Sequence, residues 1–346
     1  MKKIGVLTGG GDCPGLNAVI RAVVYSGLSY GIETIGIRNG WQGLIEGDIE
    51  LLTGISVSGI TTSGGTILGT SRIDPLKKPG DIEKISSTIK MYGIDGLVVI
   101  GGNGTLSAAY ELTPLGIPLI GVPKTIDNDI FGTDLAVGFD TAVSIVTEAI
   151  DRLHTTAESH HRIMVVETMG RDSGWIALMS GIAGAADVIL IPEIRFTMDD
   201  ICKDLRGCCT AGKKFSIVVV AEGTHHEDIA GTAVPECNRD ECGHEKFVGV
   251  GNLLGKELEH RLNIETRVTV LGHVQRGGTP TAFDRILATR FGVSAIEQIV
   301  AGNTSCMVAL QGARIGTVPL SDVASRIKPV NPDLILLAKK VMNGKQ

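Results

Sequence analysis

The sequence has no cluster of basic residues and no long apolar segment. Its 346 residues carry 32 Lys and Arg against 38 Asp and Glu, which gives a net charge of −6. Nucleic acid is attracted by basic surfaces, so it is not expected as a main partner. The apolar stretches are no longer than strands, well short of the roughly 20 residues that span a bilayer, so no membrane span is expected.

Targeting signals and paired cysteines are also scarce. Met1-Lys2-Lys3 passes directly into a predicted strand, so no signal peptide is expected. Seven cysteines at irregular spacing predict reduced thiols in a cytoplasmic protein. Cys237, Cys242 and His244 do not follow a zinc-site spacing, so we interpret residues 225–246 as a surface excursion, with a metal site as the alternative.

Glycine, in contrast, is abundant, and much of it follows apolar strands as Gly-Gly pairs. The 46 glycines include residues 9–11, after a strand at 4–8, and residues 101–102, after a strand at 96–100. A helix is predicted after each turn, and this arrangement presents backbone N–H groups to phosphate. No Gly-Lys-Ser/Thr follows, so neither turn is a Walker loop. Two such turns in one sheet predict a nucleotide or polyphosphate site.

A third strand end carries unusual polarity. The apolar run 118–122 leads into Lys124, Thr125, Asp127 and Asp129. One carboxylate can take a proton from an attacking hydroxyl, another can hold magnesium, and the lysine can meet phosphate oxygens. A solvated loop after a strand is the alternative. We favour phosphoryl transfer because other parts of the chain, such as the two glycine turns, carry features that suit phosphate binding.

The length and the strand pattern predict a doubly wound α/β chain of two lobes. Besides the runs already named, strands are predicted at 33–38, 163–167, 186–191, 216–221, 268–271 and 306–310. Helices are predicted at residues 16–28 and 282–301. Another helix is predicted to begin at an N-cap, Asp140 or Thr141, and short helices are predicted from residue 318 onward. Trp41 lies in a predicted loop, where it could stack on adenine or pack under the loop.

Polar residues near later strands predict a second anion site. In the second lobe they are Arg162, Arg171, Glu222, Arg267, His273 and Arg276. A cationic pocket facing a polyphosphate site implies a substrate that already bears phosphate. Glu222 could grip hydroxyl groups, which suggests a sugar.

At these residues the sequence resembles the phosphofructokinase family over nearly its whole length. The resemblance rests on six motifs. They are Gly-Gly-Asp-Cys-Pro-Gly-Leu-Asn (10–17), Gly-Gly-Thr-Ile-Leu-Gly-Thr-Ser-Arg (64–72), Lys-Thr-Ile-Asp-Asn-Asp (124–129), Glu-Thr-Met-Gly-Arg-Asp-Ser-Gly (167–174), Ala-Glu-Gly (221–223) and Leu-Gly-His-Val-Gln-Arg-Gly-Gly (271–278).

The resemblance implies phosphorylation of fructose 6-phosphate at its 1-hydroxyl, with Mg²⁺, to give fructose 1,6-bisphosphate in glycolysis. It implies catalytic roles for Asp127 as general base and for Lys124, Thr125 and Arg171, and a magnesium site at Asn103 and Asp129. The implied phosphoryl-donor site is Gly11, Arg72, Ile73, Gly102, Asn103, Gly104 and Thr105. The implied sugar-phosphate site is Thr125, Ile126, Asp127, Arg162, Met169, Gly170, Arg171, Glu222, Arg267, His273, Val274, Gln275 and Arg276.

The resemblance also implies an architecture. The donor lobe would comprise residues 1–138 and about 276–326, and the sugar-phosphate lobe residues 139–275 and about 327–346, with the active site in the cleft between them. Arg162 and Arg267 match arginines that reach in from a neighbouring subunit. A homo-oligomer, dimer or tetramer, with shared active sites is therefore expected.

The phosphoryl donor follows from two positions that differ within the family. Enzymes that use pyrophosphate typically carry aspartate where this chain has Gly104, and lysine where it has Lys124. The sequence thus resembles the mixed-substrate group. An aspartate at position 104 would exclude ATP sterically, and this effect is harder to evade than that of the extra cation, Lys124. Gly104 therefore predicts ATP as the donor. Pyrophosphate is the alternative donor.

Two departures from the family pattern set further expectations. Asn103 stands where an acid that helps to hold magnesium is usual, and an amide can ligate magnesium but contributes no negative charge. Arg21 and Lys213 fit the bacterial effector site, whereas Tyr25, Gly54 and His154 stand where arginine is expected. A weak or absent response to ADP and phosphoenolpyruvate follows.

Two functions of other classes compete with this interpretation. A non-catalytic sugar-phosphate sensor could have lost metal binding at Asn103. Retention of Asp127, Asp129, Lys124 and Arg171 argues against it. A nucleotide or lipid kinase could share a loop like residues 101–105. The cationic pocket and the stretch 125–129 belong to neither kind of kinase.

Overall fold

The computed structural model describes residues 2–210, 212–224 and 249–342. Its strands are β1 (Lys3–Thr8), β2 (Glu33–Ile37), β3 (Ile49–Leu52), β4 (Gly96–Gly101), β5 (Leu119–Pro123), β6 (Ile163–Thr168), β7 (Val188–Leu190), β8 (Ser216–Ala221), β9 (Thr266–Val270), β10 (Cys306–Gln311) and β11 (Arg314–Pro319). Its helices are α1 (Leu16–Ser29), α2 (Trp41–Glu46), α3 (Asp81–Tyr92), α4 (Asn103–Glu111), α5 (Phe139–His160), α6 (Trp175–Ala183), α7 (Met198–Thr210), α8 (Val250–Leu262), α9 (Ala282–Val300), α10 (Leu320–Ala324) and α11 (Pro332–Met342). None of these helices is long and apolar enough to cross a membrane.

The chain divides into two compact units. The first comprises residues 1–141 and 276–328, and the second comprises residues 142–275 and 329–346. Each unit has its own sheet and its own apolar core.

The first unit is built on a seven-stranded sheet in the order β11-β10-β5-β4-β1-β2-β3. The five strands from β10 to β2 pair in parallel, while β3 and β11 add antiparallel edges. The strand order reverses between β1 and β4, which makes their carboxyl ends the topological switch point where ligands collect in such sheets. Both glycine turns and the acidic stretch follow β1, β4 and β5, three neighbouring strands.

The second unit contains an all-parallel sheet in the order β7-β8-β6-β9. β6, β7 and β8 are buried along their whole length, as expected for parallel strands covered on both faces. β9 lies at an edge and is more exposed. The carboxyl ends of β8, β6 and β9 are adjacent, and polar residues follow all three.

The doubly wound α/β fold and the predicted strands are confirmed. The predicted N-cap of α5 is wrong, because the helix begins at Phe139. Asp140 and Thr141 instead form hydrogen bonds with residues at the start of α9. Thr281, the N-cap of α9, donates its hydroxyl to Asp140, and the Thr141 hydroxyl donates to Asp284 in the first turn of α9.

Short elements around Trp41 were not predicted. The residue opens α2 rather than lying in a loop, and its side chain is 2 % exposed within the core of the first unit. No ring face is left for adenine, so packing is the correct alternative. The antiparallel strands β3 and β11 were also missed.

Candidate active site

The acidic stretch after β5 alternates between buried and accessible residues. Ile126, Asn128 and Ile130 have no exposed surface, whereas Thr125, Asp127 and Asp129 are partly exposed. The buried side chains anchor the backbone in the first unit. The hydroxyl and the two carboxylates can therefore meet a ligand without loss of these anchors.

Asn128 holds the turn between the two carboxylates, and this role was not predicted from the sequence. Its φ of 52° lies in the left-handed region, which asparagine tolerates better than most residues. Its Nδ2 donates to Asp134 O at 3.2 Å, and its Oδ1 accepts from Ala136 N at 3.0 Å. An asparagine between two aspartates in a turn is the signal that could have identified it. These bonds fix the turn that separates Asp127 from Asp129.

Thr125 orients the first carboxylate from the other side. The Asp127 backbone N–H donates to Thr125 Oγ1 at 3.1 Å. Such a local side-chain bond holds the backbone of a turn in one conformation. Thr125 and Asp127, which were predicted to act together, are thus in direct contact.

The first glycine loop, residues 9–15, is held closely by its surroundings. Gly9 N donates to Ile100 O and Gly10 N to Ser71 O, both at 2.9 Å, and Thr70 Oγ1 donates to Gly10 O at 2.6 Å. Gly10 has a φ of 79°, which glycine adopts without strain.

Two cations complete this arrangement by binding carbonyl groups of the first glycine loop. Lys124 Nζ donates to Gly9 O at 3.1 Å and to Gly11 O, and Arg276 Nη1 donates to Asp12 O at 3.2 Å. A Cβ on Gly11 would lie 2.6 Å from Arg276 Nη1, so the loop has no space for a side chain there. The two cations add positive charge where a polyphosphate was predicted to bind.

Lys124 is therefore a support of this loop. Its side chain is only 2 % exposed, and burial lowers the pKa of its ammonium group. The sequence analysis assigned this lysine to phosphate oxygens. In the structure its ammonium group donates to the loop that would hold those oxygens.

The second glycine loop, residues 101–105, opens α4. Asn103 begins the helix, and Gly104 is exposed, with no atom from the described part of the chain within 4 Å of an added Cβ. Thr105 is buried, and its side chain occupies the space that a Cβ on Gly9 or Gly101 would need. The helix N-terminus favours anions, so this open loop suits a phosphate group.

Asn103 connects the second glycine loop with the acidic stretch. Its Nδ2 donates to Asp129 Oδ2 at 2.8 Å. Its Oδ1 is buried and has no hydrogen-bond partner in the described part of the chain. The two predicted magnesium residues are thus neighbours.

The oxygen atoms of Asn103 and Asp129 fit a magnesium ion. Mg²⁺ is commonly held by one or two carboxylates together with substrate phosphates and water. A buried Oδ1 without a partner, next to a carboxylate, provides such oxygens. Residues 2–210, 212–224 and 249–342 contain no group of three or more His, Cys, Asp and Glu side chains arranged for a metal. Cys237, Cys242 and His244 lie outside the described residues.

Arg72 and Ile73 lie beside the first glycine loop. Both side chains are exposed, and the preceding Ser71 is bonded to Gly10 through its carbonyl oxygen. The Ser71 hydroxyl in turn donates to Asn39 O at 2.7 Å. These bonds tie the segment that carries Arg72 to the loop.

The second unit gathers most of the predicted sugar-phosphate residues at one edge of its sheet. Met169, Gly170 and Arg171 follow β6, Glu222 follows β8, and His273 follows β9. Arg171 Nε lies 3.8 Å from Glu222 Oε1.

Gln275 helps to hold this edge together, and His273 and Val274 are exposed there. The Gln275 side chain is fully buried, accepts from Met169 N at 3.3 Å and donates to Gly272 O at 3.1 Å. A buried amide of this kind fixes the segment after β9 to the end of β6.

Arg162 and Arg267 are not part of this group. They lie at the amino ends of β6 and β9, and both bind Glu265, with Arg162 Nε at 2.6 Å from Oε2. Hydrogen bonds from Arg162 lower the pKa of the Glu265 carboxyl. At about 3.3 Å per residue, the length of β6 separates Arg162 from Met169 by about 23 Å.

Comparisons with known proteins agree with this arrangement. The Phosphofructokinase family profile matches residues 3–299. A pyrophosphate–fructose 6-phosphate 1-phosphotransferase of Streptomyces coelicolor is 52 % identical over 334 residues, covering 96 % of this chain and 97 % of the relative. ATP-dependent 6-phosphofructokinase 3 of the same organism is 51 % identical over 333 residues, covering 96 % of this chain and 97 % of the relative. Sequence identity to these relatives therefore does not distinguish ATP from pyrophosphate as the phosphoryl donor.

A solved structure supports the same assignment. The phosphofructokinase of Pichia pastoris superposes with a TM-score of 0.80 at 33 % identity, covering 98 % of this chain. This chain spans only 36 % of the length of that enzyme. With the profile match and the two relatives, these likenesses show that the chain belongs to the phosphofructokinase family and is a phosphotransferase.

Proposed function

We propose that the protein is an ATP-dependent 6-phosphofructokinase of glycolysis that works in the cytoplasm. It would transfer the terminal phosphoryl group of ATP to the 1-hydroxyl of fructose 6-phosphate. The observation that supports this reaction best is the meeting of Asp127 and Asp129 with two glycine loops at the ends of three neighbouring strands. Carboxylates beside phosphate-binding loops are what phosphoryl transfer requires.

Asp127 is the proposed general base. It would accept the proton of the attacking hydroxyl, and it is partly exposed while its backbone is fixed by Thr125 and Asn128. A base held in place before the substrate arrives avoids reorganisation during the reaction. Arg171 would meet the transferring phosphoryl group.

Asn103 and Asp129 would hold the magnesium ion. When bound, the ion would neutralise charge on the phosphate oxygens. The amide of Asn103 keeps Asp129 Oδ2 in place through its hydrogen bond at 2.8 Å. The first glycine loop and the N-terminus of α4 would bind the donor phosphates through backbone N–H groups.

Open space at Gly104 supports ATP as the donor. No atom of the described residues lies within 4 Å of an added Cβ, so a larger phosphate chain could approach the second glycine loop. The aspartate that pyrophosphate enzymes typically carry here would crowd and repel the inner phosphate of a nucleotide.

Lys124 supports the alternative donor, pyrophosphate. It matches the lysine of pyrophosphate-dependent enzymes, and its buried ammonium group adds charge beneath the first glycine loop. We give Gly104 more weight. The lysine acts on backbone carbonyls and leaves the nucleotide path open, whereas an aspartate at position 104 would block it.

The acceptor is proposed from the second unit. His273 and Arg171 supply groups that bind phosphate, and Glu222 can accept hydrogen bonds from sugar hydroxyls. In this proposal the first unit binds the donor and the second unit the sugar phosphate. Arg276, which was grouped with the second lobe from the sequence, belongs instead to the first unit and contacts the first glycine loop.

Arg162 and Arg267 lead to a proposed homo-oligomer. Both are about a strand length away from the sugar-phosphate residues of their own second unit. They would contribute to the site of a neighbouring copy, so the active site would be shared between subunits.

A weak response to ADP and phosphoenolpyruvate is part of the proposal. Arg21 stacks on Tyr25, with its Cζ 4.6 Å from the ring centroid, and His154 Nε2 bonds Gly184 O at 2.7 Å. Tyrosine and histidine offer less charge to a phosphorylated effector than the arginines expected there.

An assay with two donors tests the proposed function. Fructose 6-phosphate and Mg²⁺ are supplied with ATP or with pyrophosphate, and fructose 1,6-bisphosphate is measured. We expect turnover with ATP and a kcat/KM at least tenfold lower with pyrophosphate. Turnover with pyrophosphate alone would overturn the donor assignment, and no turnover with either donor would overturn the reaction.

A further inference from the structure

The acidic loop, residues 124–137, is a closed excursion from the sheet of the first unit. Its ends meet where Thr125 N donates to Val137 O at 3.2 Å and Val137 N donates to Pro123 O at 3.1 Å. Between these points the loop carries both proposed catalytic carboxylates. The shape of the excursion therefore determines where Asp127 and Asp129 lie.

The two halves of the acidic loop have different anchors. Residues 131–136 are tied to the end of β10, because Leu310 N donates to Thr133 Oγ1 at 3.0 Å and Asp134 N donates to Leu310 O at 2.8 Å. Residues 127–130 are tied to a segment much later in the chain. Ile130 forms an antiparallel bridge with Ile327.

Lys328 bonds to both halves. Its backbone N–H donates to Asp129 O at 2.8 Å, and its Nζ donates to Thr133 O and Asp134 O, each at 2.9 Å. Asp134 O also accepts from Asn128 Nδ2, so the internal and the external anchor share one acceptor.

The charge of Lys328 suits this location. Asp127, Asp129 and Asp134 place three carboxyl groups within eight residues. The side-chain cation of Lys328 donates to two carbonyl groups of this loop and offsets repulsion among its carboxylates.

We propose that Lys328 is a positioning residue for phosphoryl transfer, which rests on the function proposed above. It would act through the acidic loop, holding Asp127 and Asp129 at the separation that the reaction needs, without touching either substrate. A misplacement of about 1 Å can lower the rate about 100-fold. Loss of this anchor should therefore lower kcat more than it changes substrate binding.

The test compares Lys328→Met with Lys328→Arg in the full chain. We expect Lys328→Met to lower kcat about 20-fold, with KM for fructose 6-phosphate and for the better donor within threefold of wild type. Lys328→Arg keeps the charge and the donors, and should recover at least half of the lost turnover. Arg206→Met, which removes a cation bonded at 3.3 Å to Arg261 O in the second unit, is the control and should keep wild-type kcat.

A second readout separates this inference from the proposed function. Amide hydrogen exchange at Ala136, whose N–H bonds Asn128, should become about tenfold faster in Lys328→Met and stay unchanged in Arg206→Met. If Lys328→Met does not fold, Lys328→Gln replaces it in both measurements. A kcat within twofold of wild type, or unchanged exchange at Ala136, would overturn the positioning role. An inactive wild type with altered exchange would overturn only the proposed function.

Discussion

The two glycine loops of the first unit look alike in sequence and differ in structure. The first, at residues 9–15, is surrounded by bonded groups, and a Cβ on Gly11 would collide with Arg276. The second, at residues 101–105, leaves Gly104 exposed with open space around it. A strand followed by Gly-Gly therefore indicates where phosphate can bind, but it does not say how tightly the loop is confined.

The difference assigns separate tasks to the loops. A confined loop with cations on its carbonyls can hold one backbone conformation and one phosphate position. An open helix N-terminus can admit donors of different size, and under the proposed function the residue at position 104 would decide which donor fits. Donor choice should therefore respond to the second loop, whereas general loss of activity should follow damage to the first.

The largest expected effect comes from a group that belongs to neither loop. Asp127→Asn removes the proposed base while keeping size and backbone contacts, so kcat should fall about 1,000-fold. Both loops remain intact, and binding of fructose 6-phosphate and ATP should change less than threefold. Steady-state kinetics and calorimetric binding measure the two quantities. Wild-type turnover in this variant would refute the base assignment and with it the proposed division between chemistry and binding.

A smaller effect is expected from loosening the first glycine loop. Lys124→Met removes the donor to the carbonyls of Gly9 and Gly11, and each buried carbonyl left without a partner costs about 1–3 kcal/mol. We expect kcat/KM to fall about 30-fold with ATP and with pyrophosphate alike, and the free energy of unfolding to fall by about 3 kcal/mol. Lys84→Met removes a lysine bonded at 2.9 Å to Asp81 in α3 and is the control. A loss confined to pyrophosphate would contradict a supporting role.

The smallest effect concerns stability beneath the first loop, at Asp284. This buried carboxylate accepts from Gly138 N at 2.9 Å and from Thr141 N at 2.8 Å, and its Cβ would lie 3.8 Å from a Cβ added to Gly15 of the loop. Burial raises its pKa to about 6, although the hydrogen bonds oppose the shift. Because the folded pKa lies above the unfolded value, the free energy of unfolding should fall by about 3 kcal/mol as pH rises from about 4 to 6.

Asp284→Asn removes this titration. The amide that replaces the carboxylate places N–H groups opposite the backbone donors of Gly138 and Thr141, so the variant should be less stable than wild type. The difference in the free energy of unfolding should be greatest near pH 4 and smallest near pH 7. Urea unfolding at several pH values measures the difference. A deficit independent of pH would show that Asp284 does not titrate in this range.

Sequence reasoning succeeded where short-range patterns determine structure. Apolar runs predicted the strands, and glycine after a strand predicted both loops, because these signals lie within a few neighbouring residues. The acidic stretch was found because its polarity directly follows a buried strand. These local features fix the order of elements and the edge of the sheet at which ligands are expected.

Contacts between distant residues were beyond that reasoning. Lys328 reaches Thr133, and Asp284 reaches Gly138, across more than 140 residues in each case. Trp41 is buried, and the Lys124 ammonium group points toward Gly9. Both arrangements depend on packing that no local sequence pattern encodes. The sequence therefore predicted which segments lie at the ends of the strands, but it did not predict which distant groups their side chains contact.

The most direct test of this account is the donor preference of Gly104→Asp. The measurement is the ratio of kcat/KM with ATP to kcat/KM with pyrophosphate, in the variant and in wild type. Since an added Cβ would have no atom of the described residues within 4 Å, the melting temperature should stay within about 2 °C, and an acid in the first turn of a helix is favourable. Gly104→Ala is the control and should keep the ratio within fivefold. We predict that the ratio falls at least 100-fold in Gly104→Asp, and an unchanged ratio in a folded variant would contradict the account.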